Sequence, residues 1–232
     1  MKSTFIENLK SKLSLYNSVA PPVVIADNFF NLADIADIKE KVFLLRDNWQ
    51  LLQVTNRSIP VRLLPAGMYS RGLDDYVINV TNNKKLMQKN FESYYNRIKS
   101  EIKKYFGMEV NYLNSLNYPG FHVFVCDTER GKHESYNFHK DHFPYLNKFV
   151  NLGKIYSIVI PISMPLQGGN LLYKDNNKDN IIFNYKVGSM IMWEGSLTHS
   201  IEPFVLDSNQ NRITMQFHIN VDTTNNKISV FW

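Results

Sequence analysis

Arg212-Ile213-Thr214-Met215-Gln216-Phe217-His218-Ile219-Asn220 alternates without a break. Arg, Thr, Gln, His and Asn fall on one face, and Ile, Met, Phe and Ile on the other. A period of two marks a β-strand, because successive side chains point to opposite faces of the pleat. On an open sheet the polar face would lie in water. In a closed barrel it would line an interior cavity, with the apolar face packed beneath covering elements.

Outward from that strand, the chain after residue 108 reads as a succession of short strands. The segments are 109–116, 120–126, 136–142, 155–163, 169–174, 181–185, 188–193, 198–204, 212–221 and 227–231. Turn clusters such as Gln167-Gly168-Gly169-Asn170 and Asp175-Asn176-Asn177-Lys178-Asp179-Asn180 separate them. So many strands without intervening helices predict a mainly β protein, an antiparallel sandwich or barrel, and eight or more suggest a jelly roll.

Before residue 108 the signals are mostly helical. Thr4-x-x-Glu7 can form a capping box ahead of Phe5, Ile6, Leu9 and Leu13, and Pro21-Pro22 ends that helix. Val23-Val24-Ile25 is a short apolar strand. Asp27 or Asn28 is expected to cap a second helix running through Leu32, Ile35, Ile38, Val42 and Leu45. Residues 55–80 read as irregular, punctuated by Pro60, Pro65, Gly67 and Gly72. A long helix then runs from about Asn83 to Phe106, with Gly107 as its stop. With no repeat, linker or boundary visible, residues 1–232 are expected to form a single domain. Its parts are helical elements over 1–107, covering one face of a β core over 108–232.

Composition bounds the function. The 232 residues are 44% hydrophobic, 20% charged and 13% aromatic, which is globular rather than disordered. No apolar run reaches the length of a membrane span. No signal-peptide apolar region follows Met1-Lys2-Ser3, and Cys126 is the single cysteine, so a reducing cytoplasmic setting is expected, without disulfides or a cysteine-built metal site. A net charge of +5, scattered rather than gathered into a stripe, argues against nucleic acid.

The chemistry sits in the β region. His139-Lys140-Asp141 places an imidazole and a carboxylate two residues apart, on one face of an extended chain. His199 follows on another predicted strand. Two imidazoles and one carboxylate are the donor set of a facial non-haem Fe(II) site, which leaves open positions for co-substrates. Arg212 opens the alternating strand, and its planar fork suits a carboxylate better than an ammonium would. Thr214, one pleat along, can offer its hydroxyl to the same anion.

In this order and spacing, His139-x-Asp141, His199 and Arg212-x-Thr214 resemble the Fe(II)/2-oxoglutarate-dependent dioxygenase superfamily. Tyr156-Ser157-Ile158-Val159-Ile160-Pro161-Ile162 resembles that family's strand after the first ligands. Gly168-Gly169-Asn170-Leu171-Leu172-Tyr173 resembles its glycine turn and strand, and Val187-Gly188-Ser189-Met190-Ile191-Met192-Trp193 the strand before the distal histidine. The likeness covers about residues 115–221. Thr214 stands where many members have Ser and keeps the hydroxyl. Asn170 stands where an acidic residue is common and is expected to be structurally neutral.

The resemblance implies a double-stranded β-helix core in which His139, Asp141 and His199 hold Fe(II). It further implies that 2-oxoglutarate and dioxygen are co-substrates, with Arg212 on the far carboxylate, Thr214 assisting and Ser157 a further contact. Succinate and carbon dioxide would leave as an unactivated C–H bond is hydroxylated. Halogenating relatives carry a small residue where Asp141 stands, so the resemblance implies a hydroxylase. Desaturation, epoxidation and cyclisation stay open, because they depend on substrate placement.

Substrate contacts are expected from Arg71, Glu129, Arg130 and Trp193. The favoured substrate is a small molecule, an amino acid or related biosynthetic intermediate. Alternatives are a protein or peptide side chain, or a noncatalytic or 2-oxoglutarate-independent cupin-like metal protein. Of the other histidines, His142 is turned from the metal face and His133 reads as an exposed loop residue. His122 is core or cavity wall. His218, about 20 Å from Arg212 along an ideal strand, is not expected to ligate.

Overall fold

A computed structural model describes residues 20–52, 59–65, 73–127, 129–134, 138–141, 143 and 146–232. Its axis is the alternating segment, strand β13 (Asn211–Asp222). One edge of β13 pairs with β7 (Lys154–Ser163), and the other with β5 (Gly120–Val125) and then β14 (Lys227–Phe231). Beyond β7 lie β10 (Met190–Glu194) and β1 (Val23–Ala26); beyond β5 lie β3 (Val61–Leu64) and β2 (Gln50–Leu52). All these pairings are antiparallel. The addition of β4 (Glu109–Tyr112) alongside β14 is parallel.

A second layer is made of smaller pieces. One is β11 (His199–Ile201), β8 (Leu171–Lys174) and β9 (Asn180–Phe183); the other is β12 (Phe204–Asp207) with β6 (Arg130–His133). Two α-helices, α1 (Leu32–Leu44) and α2 (Leu73–Phe106), and two single 3-10 turns, Arg46–Asn48 and Leu146–Lys148, complete the described elements. No described helix is long and apolar enough to cross a membrane.

The alternation of β13 decides which face meets which neighbour. Ile213, Met215, Phe217 and Ile219 are fully buried. They join one core cluster with Ile38 and Val42 of α1 and with Met87, Phe91, Ile98 and Ile102 of α2. Each such side chain withdrawn from water contributes about 1.5–3 kcal/mol, so the helices are fixed on this face. The opposite face carries Arg212, Thr214, Gln216 and His218 and looks toward the second layer, as a closed barrel requires.

Several boundaries differ from the sequence reading. The cap of α1 is Asn31, not Asp27 or Asn28: Asn31 Oδ1 accepts the amide of Asp34, and Asp34 returns the bond to the Asn31 amide. Asn28 turns left-handed at φ 49°, and Asp27 instead accepts from Ser189 and Lys186. Helix α2 begins at Leu73 rather than near Asn83. Its early β-branched residues lower helix propensity, but burial of residues such as Val80 outweighs a few tenths of a kcal/mol each. Gly107 ends it as expected, at φ 69° with its amide on Lys103 O.

Residues 61–64 are a strand inside the segment read as irregular, because β5 supplies a partner. Within the segment 136–142 read as a strand, the described residues 138–141 form no strand, and His139 makes an isolated bridge to His199. The short strands β6 and β12 went unread, since Arg130-Gly131-Lys132-His133 carries no strand former and extends only through pairing with β12. The helix expected over Phe5–Leu13 lies outside the described residues.

Candidate metal centre and its cavity

The centre is assembled by backbone pairing. His139 and His199 stand directly opposite each other, each amide bonding the other's carbonyl at 2.9 Å. Directly opposed residues present side chains on the same face, and the two rings lie 4.5 Å apart. The Asp141 amide binds Gly195 O at 3.0 Å, which ties the segment to the turn between β10 and β11. Asp141, two residues beyond His139, therefore points the same way. Its oxygens lie 4.0 Å from His139 Nε2 and 3.8 Å from His199 Nε2. Donor atoms of all three residues fall within 4.8 Å of one another.

Protonation suits cation binding. His199 Nδ1 lies 2.9 Å from Leu197 O, a bond it can make only as donor, which leaves Nε2 with its lone pair. Burial pushes the His199 imidazole below its ordinary pKa, against the opposing pull of Asp141. Burial would raise the Asp141 carboxyl, but His218, His199, the Ser157 hydroxyl and His139 outweigh it and hold it below the usual value. At neutral pH Asp141 is thus an ionised carboxylate beside a neutral His199 ring.

A cavity of about 300 Å³ opens over these ligands. Arg212 lines it from β13, 1% exposed, with its guanidinium against the Phe124 and Phe204 rings. Its Nε donates to Gly169 O at 2.7 Å, while Nη1 has no hydrogen-bond partner in the protein. Burial lowers this group to about 10, partly offset by Tyr185 alongside, so it stays charged at neutral pH. Gly169 sits at φ 76°, and a Cβ there would come within 3.2 Å of Arg212 Cδ, so glycine is what lets the turn close on the arginine. Thr214 Oγ1 accepts from Gln216 Nε2, which leaves its own proton free to donate.

Of the residues singled out in the sequence, His139, Asp141, Ser157, Trp193, His199 and Arg212 line this cavity. Thr214 is fully buried beside it. The Ser157 hydroxyl donates to Asp141 Oδ2 and lies 3.1 Å from His218 Nδ1, so its one proton is committed. Glu129 and Arg130 do not line the cavity; Arg130 is on the outer strand β6, 3.7 Å from Asp207. Arg71 and His142 lie outside the described residues. His133, expected as an exposed loop residue, is instead 1% exposed, stacked on Phe204 and 3.3 Å from Ile59 O, because the segment containing it folds inward as β6.

His122 proves to be cavity wall, as do Gln216, Tyr185, Phe143 and Trp232, which the sequence reading did not assign. Gln216 and His218 were legible from the alternation of β13. Tyr185 was not, since it lies between strands where no period applies. Asn170 has a definite structural part: it donates to Glu202 and accepts the Tyr185 amide, and an acid there would face a second carboxylate.

No protein-family profile matches the sequence, and no curated protein matches it significantly. Solved structures do match. The epimerase SnoN in complex with Fe3+, α-ketoglutarate and nogalamycin RO is 8% identical, with 93% of this chain and 84% of that one covered at a TM-score of 0.54. AviO1 from Streptomyces viridochromogenes Tue57 is 10% identical, with 93% and 96% covered at 0.51. An oxidoreductase of the 2OG-Fe(II) oxygenase family from Burkholderia pseudomallei is 14% identical, with 82% and 80% covered at 0.50. The chain therefore shares the fold of 2OG-Fe(II) oxygenases, the double-stranded β-helix, and carries a His-x-Asp…His cluster inside it.

Proposed function

We propose that this protein is an Fe(II)/2-oxoglutarate-dependent oxygenase that hydroxylates a small molecule. One observation carries the reading: a single cavity is lined by three cation donors and by a buried arginine whose Nη1 lacks a partner. An unpartnered buried guanidinium group is costly unless an anion meets it. The donor set, with two nitrogens, one carboxylate and no thiolate, fits Fe(II), and the arginine fits the far carboxylate of 2-oxoglutarate.

His139, Asp141 and His199 would hold the metal. Bound Fe(II), with 2-oxoglutarate and dioxygen, supplies the oxidising power to convert a C–H bond to an alcohol while succinate and carbon dioxide are released. The chain's own residues bind, orient and exclude. The Leu197 carbonyl holds His199 in the tautomer that presents Nε2. Arg212 would meet the distal carboxylate through its unpartnered Nη1, and the Thr214 hydroxyl would donate to the same group. Phe143, Trp193 and Trp232 form apolar walls that limit water.

The cavity volume supports a small substrate, because 2-oxoglutarate shares the same space. Asp141 is the sole carboxylate among the described lining residues, and it is committed to the metal. Lys140 and Gln216 are donors on that lining. This favours a substrate rich in acceptors over a free amino acid, whose ammonium would find no counter-charge there.

The test is anaerobic addition of Fe(II) and then 2-oxoglutarate to purified protein, followed by exposure to oxygen. A visible charge-transfer band, then oxygen-dependent succinate release that is lost in Asp141→Ala, is the expected result. Metal-loaded, folded protein that gives neither band nor succinate would overturn the proposal.

A further inference from the structure

The metal carboxylate does not stand alone. Asp141 Oδ2 accepts the Ser157 hydroxyl proton, and Ser157 Oγ lies 3.1 Å from His218 Nδ1. A hydroxyl has one proton to give. Since Ser157 gives it to Asp141 Oδ2, the contact to His218 requires Ser157 to accept, so Nδ1 of His218 carries hydrogen. The bonds therefore run in one sense, from His218 through Ser157 to Asp141.

Sheet register builds this chain. Ser157 on β7 pairs directly with His218 on β13, and His218 on its other side pairs with Phe231. The His218 ring is held by Phe143 at 4.5 Å and Phe231 at 5.7 Å between ring centres. His218 and Ser157 lie on the wall of the same cavity as the metal donors.

Building on the function proposed above, we infer that Ser157 and His218 are positioning residues that occupy Oδ2 of Asp141 and leave Oδ1 to bind the cation. A carboxylate free at both oxygens could chelate and fill a site that the co-substrates need. With Oδ2 engaged, it offers one oxygen in a fixed direction. His218 acts through Ser157, so its effect should vanish when Ser157 cannot pass it on.

That dependence separates a relay from mere packing. Co(II) is titrated into wild type, Ser157→Ala, Ser157→Thr, His218→Leu, His218→Asn and the Ser157→Ala/His218→Leu double variant. Both the Kd and the visible d–d spectrum are recorded. Loss of an outer partner typically weakens metal affinity by about 10–100-fold, which is expected for Ser157→Ala together with a changed d–d spectrum. Ser157→Thr and His218→Asn keep the hydroxyl and the N–H and should bind within about threefold of wild type by the same reasoning. The double variant should bind no worse than Ser157→Ala alone.

Additive losses, or a Ser157→Ala affinity and spectrum equal to wild type, would overturn the relay while leaving the metal site intact. A folded wild type that binds no Co(II) would instead bring down the functional reading on which the relay rests. Should His218→Leu fail to fold, the Ser157→Ala and Ser157→Thr pair decides the matter by itself.

Discussion

Replacing Arg212 with methionine separates the proposed co-substrate clamp from the proposed metal site. Methionine keeps much of the volume against Phe124 and Phe204, so the change removes chiefly the charge and the fork. The arginine is 1% exposed and held at Nε by Gly169 O, so its free edge is pre-aimed and poorly solvated. Taking away one partner of such a buried pair costs about 3–5 kcal/mol. Some water can enter in place of the guanidinium, so the lower end applies, and about 3–4 kcal/mol is a factor of roughly 10²–10³ in 2-oxoglutarate affinity.

Titration of Fe(II)-loaded protein with 2-oxoglutarate under nitrogen, read by charge-transfer absorption, measures this loss. Fe(II) affinity should change by less than about threefold, because the residue is not among the metal donors. Arg212→Lys should fall between, since an ammonium keeps charge but cannot serve Gly169 O and two anion oxygens together. 2-Oxobutyrate, which lacks the distal carboxylate, supplies the matching deletion in the ligand. Wild type should prefer 2-oxoglutarate over it by the same factor, and the methionine variant should barely discriminate. Equal discrimination in both proteins, or parallel loss of iron binding, would refute the assignment of the clamp.

Three further outcomes are expected. His139→Ala and Asp141→Ala should each weaken Fe(II) binding in anaerobic calorimetry by at least about 100-fold, because three donors leave none in reserve; retained binding would place the metal elsewhere. Burial lowers the His122 pKa to about 3, against about 6.5 in the unfolded chain. The unfolded chain then takes up a proton that the native one refuses, so stability is full above pH 6.5 and falls as pH drops toward 3. His122 contributes a slope of up to about 1.4 kcal/mol per pH unit. Urea unfolding at pH 7, 6 and 5 should show a shallower acid decline in His122→Asn, and equal declines would count against the assignment. Gly169→Ala should lower the melting temperature by a few degrees, roughly 1–2 kcal/mol of left-handed strain, and weaken 2-oxoglutarate binding by displacing Arg212. An unchanged melt and affinity would mean that the turn relaxes freely.

Much of the site was legible without coordinates. His139 and Asp141 share a face by the parity of extended chain, while His199 and Arg212 stand out by residue type and by an order and spacing that resemble those of the Fe(II)/2-oxoglutarate-dependent superfamily. Asp141 followed His139 by parity alone. Ser157 was picked out for its place beside the site, yet its bonding could not be foreseen, because its partners come from β13 and from a segment outside any regular strand. His133 was misjudged for a related reason: Arg130-Gly131-Lys132-His133 has a loop's composition and becomes a buried strand only by pairing with β12.

Periodicity and residue chemistry thus determined the β class, the alternating strand and the helices over its apolar face, and together with the family resemblance they single out His139, Asp141 and His199 as candidate metal donors. These are local properties, set by side-chain volume, polarity and the two-residue repeat of the pleat. Tertiary structure alone decided register: which residue of β7 faces His218, which carbonyl meets Arg212 Nε, and where Tyr185 enters the wall. The first two of these contacts join residues 61 and 43 positions apart. The free energy that selects among registers comes from burying the whole apolar face together, so no single stretch of sequence contains it.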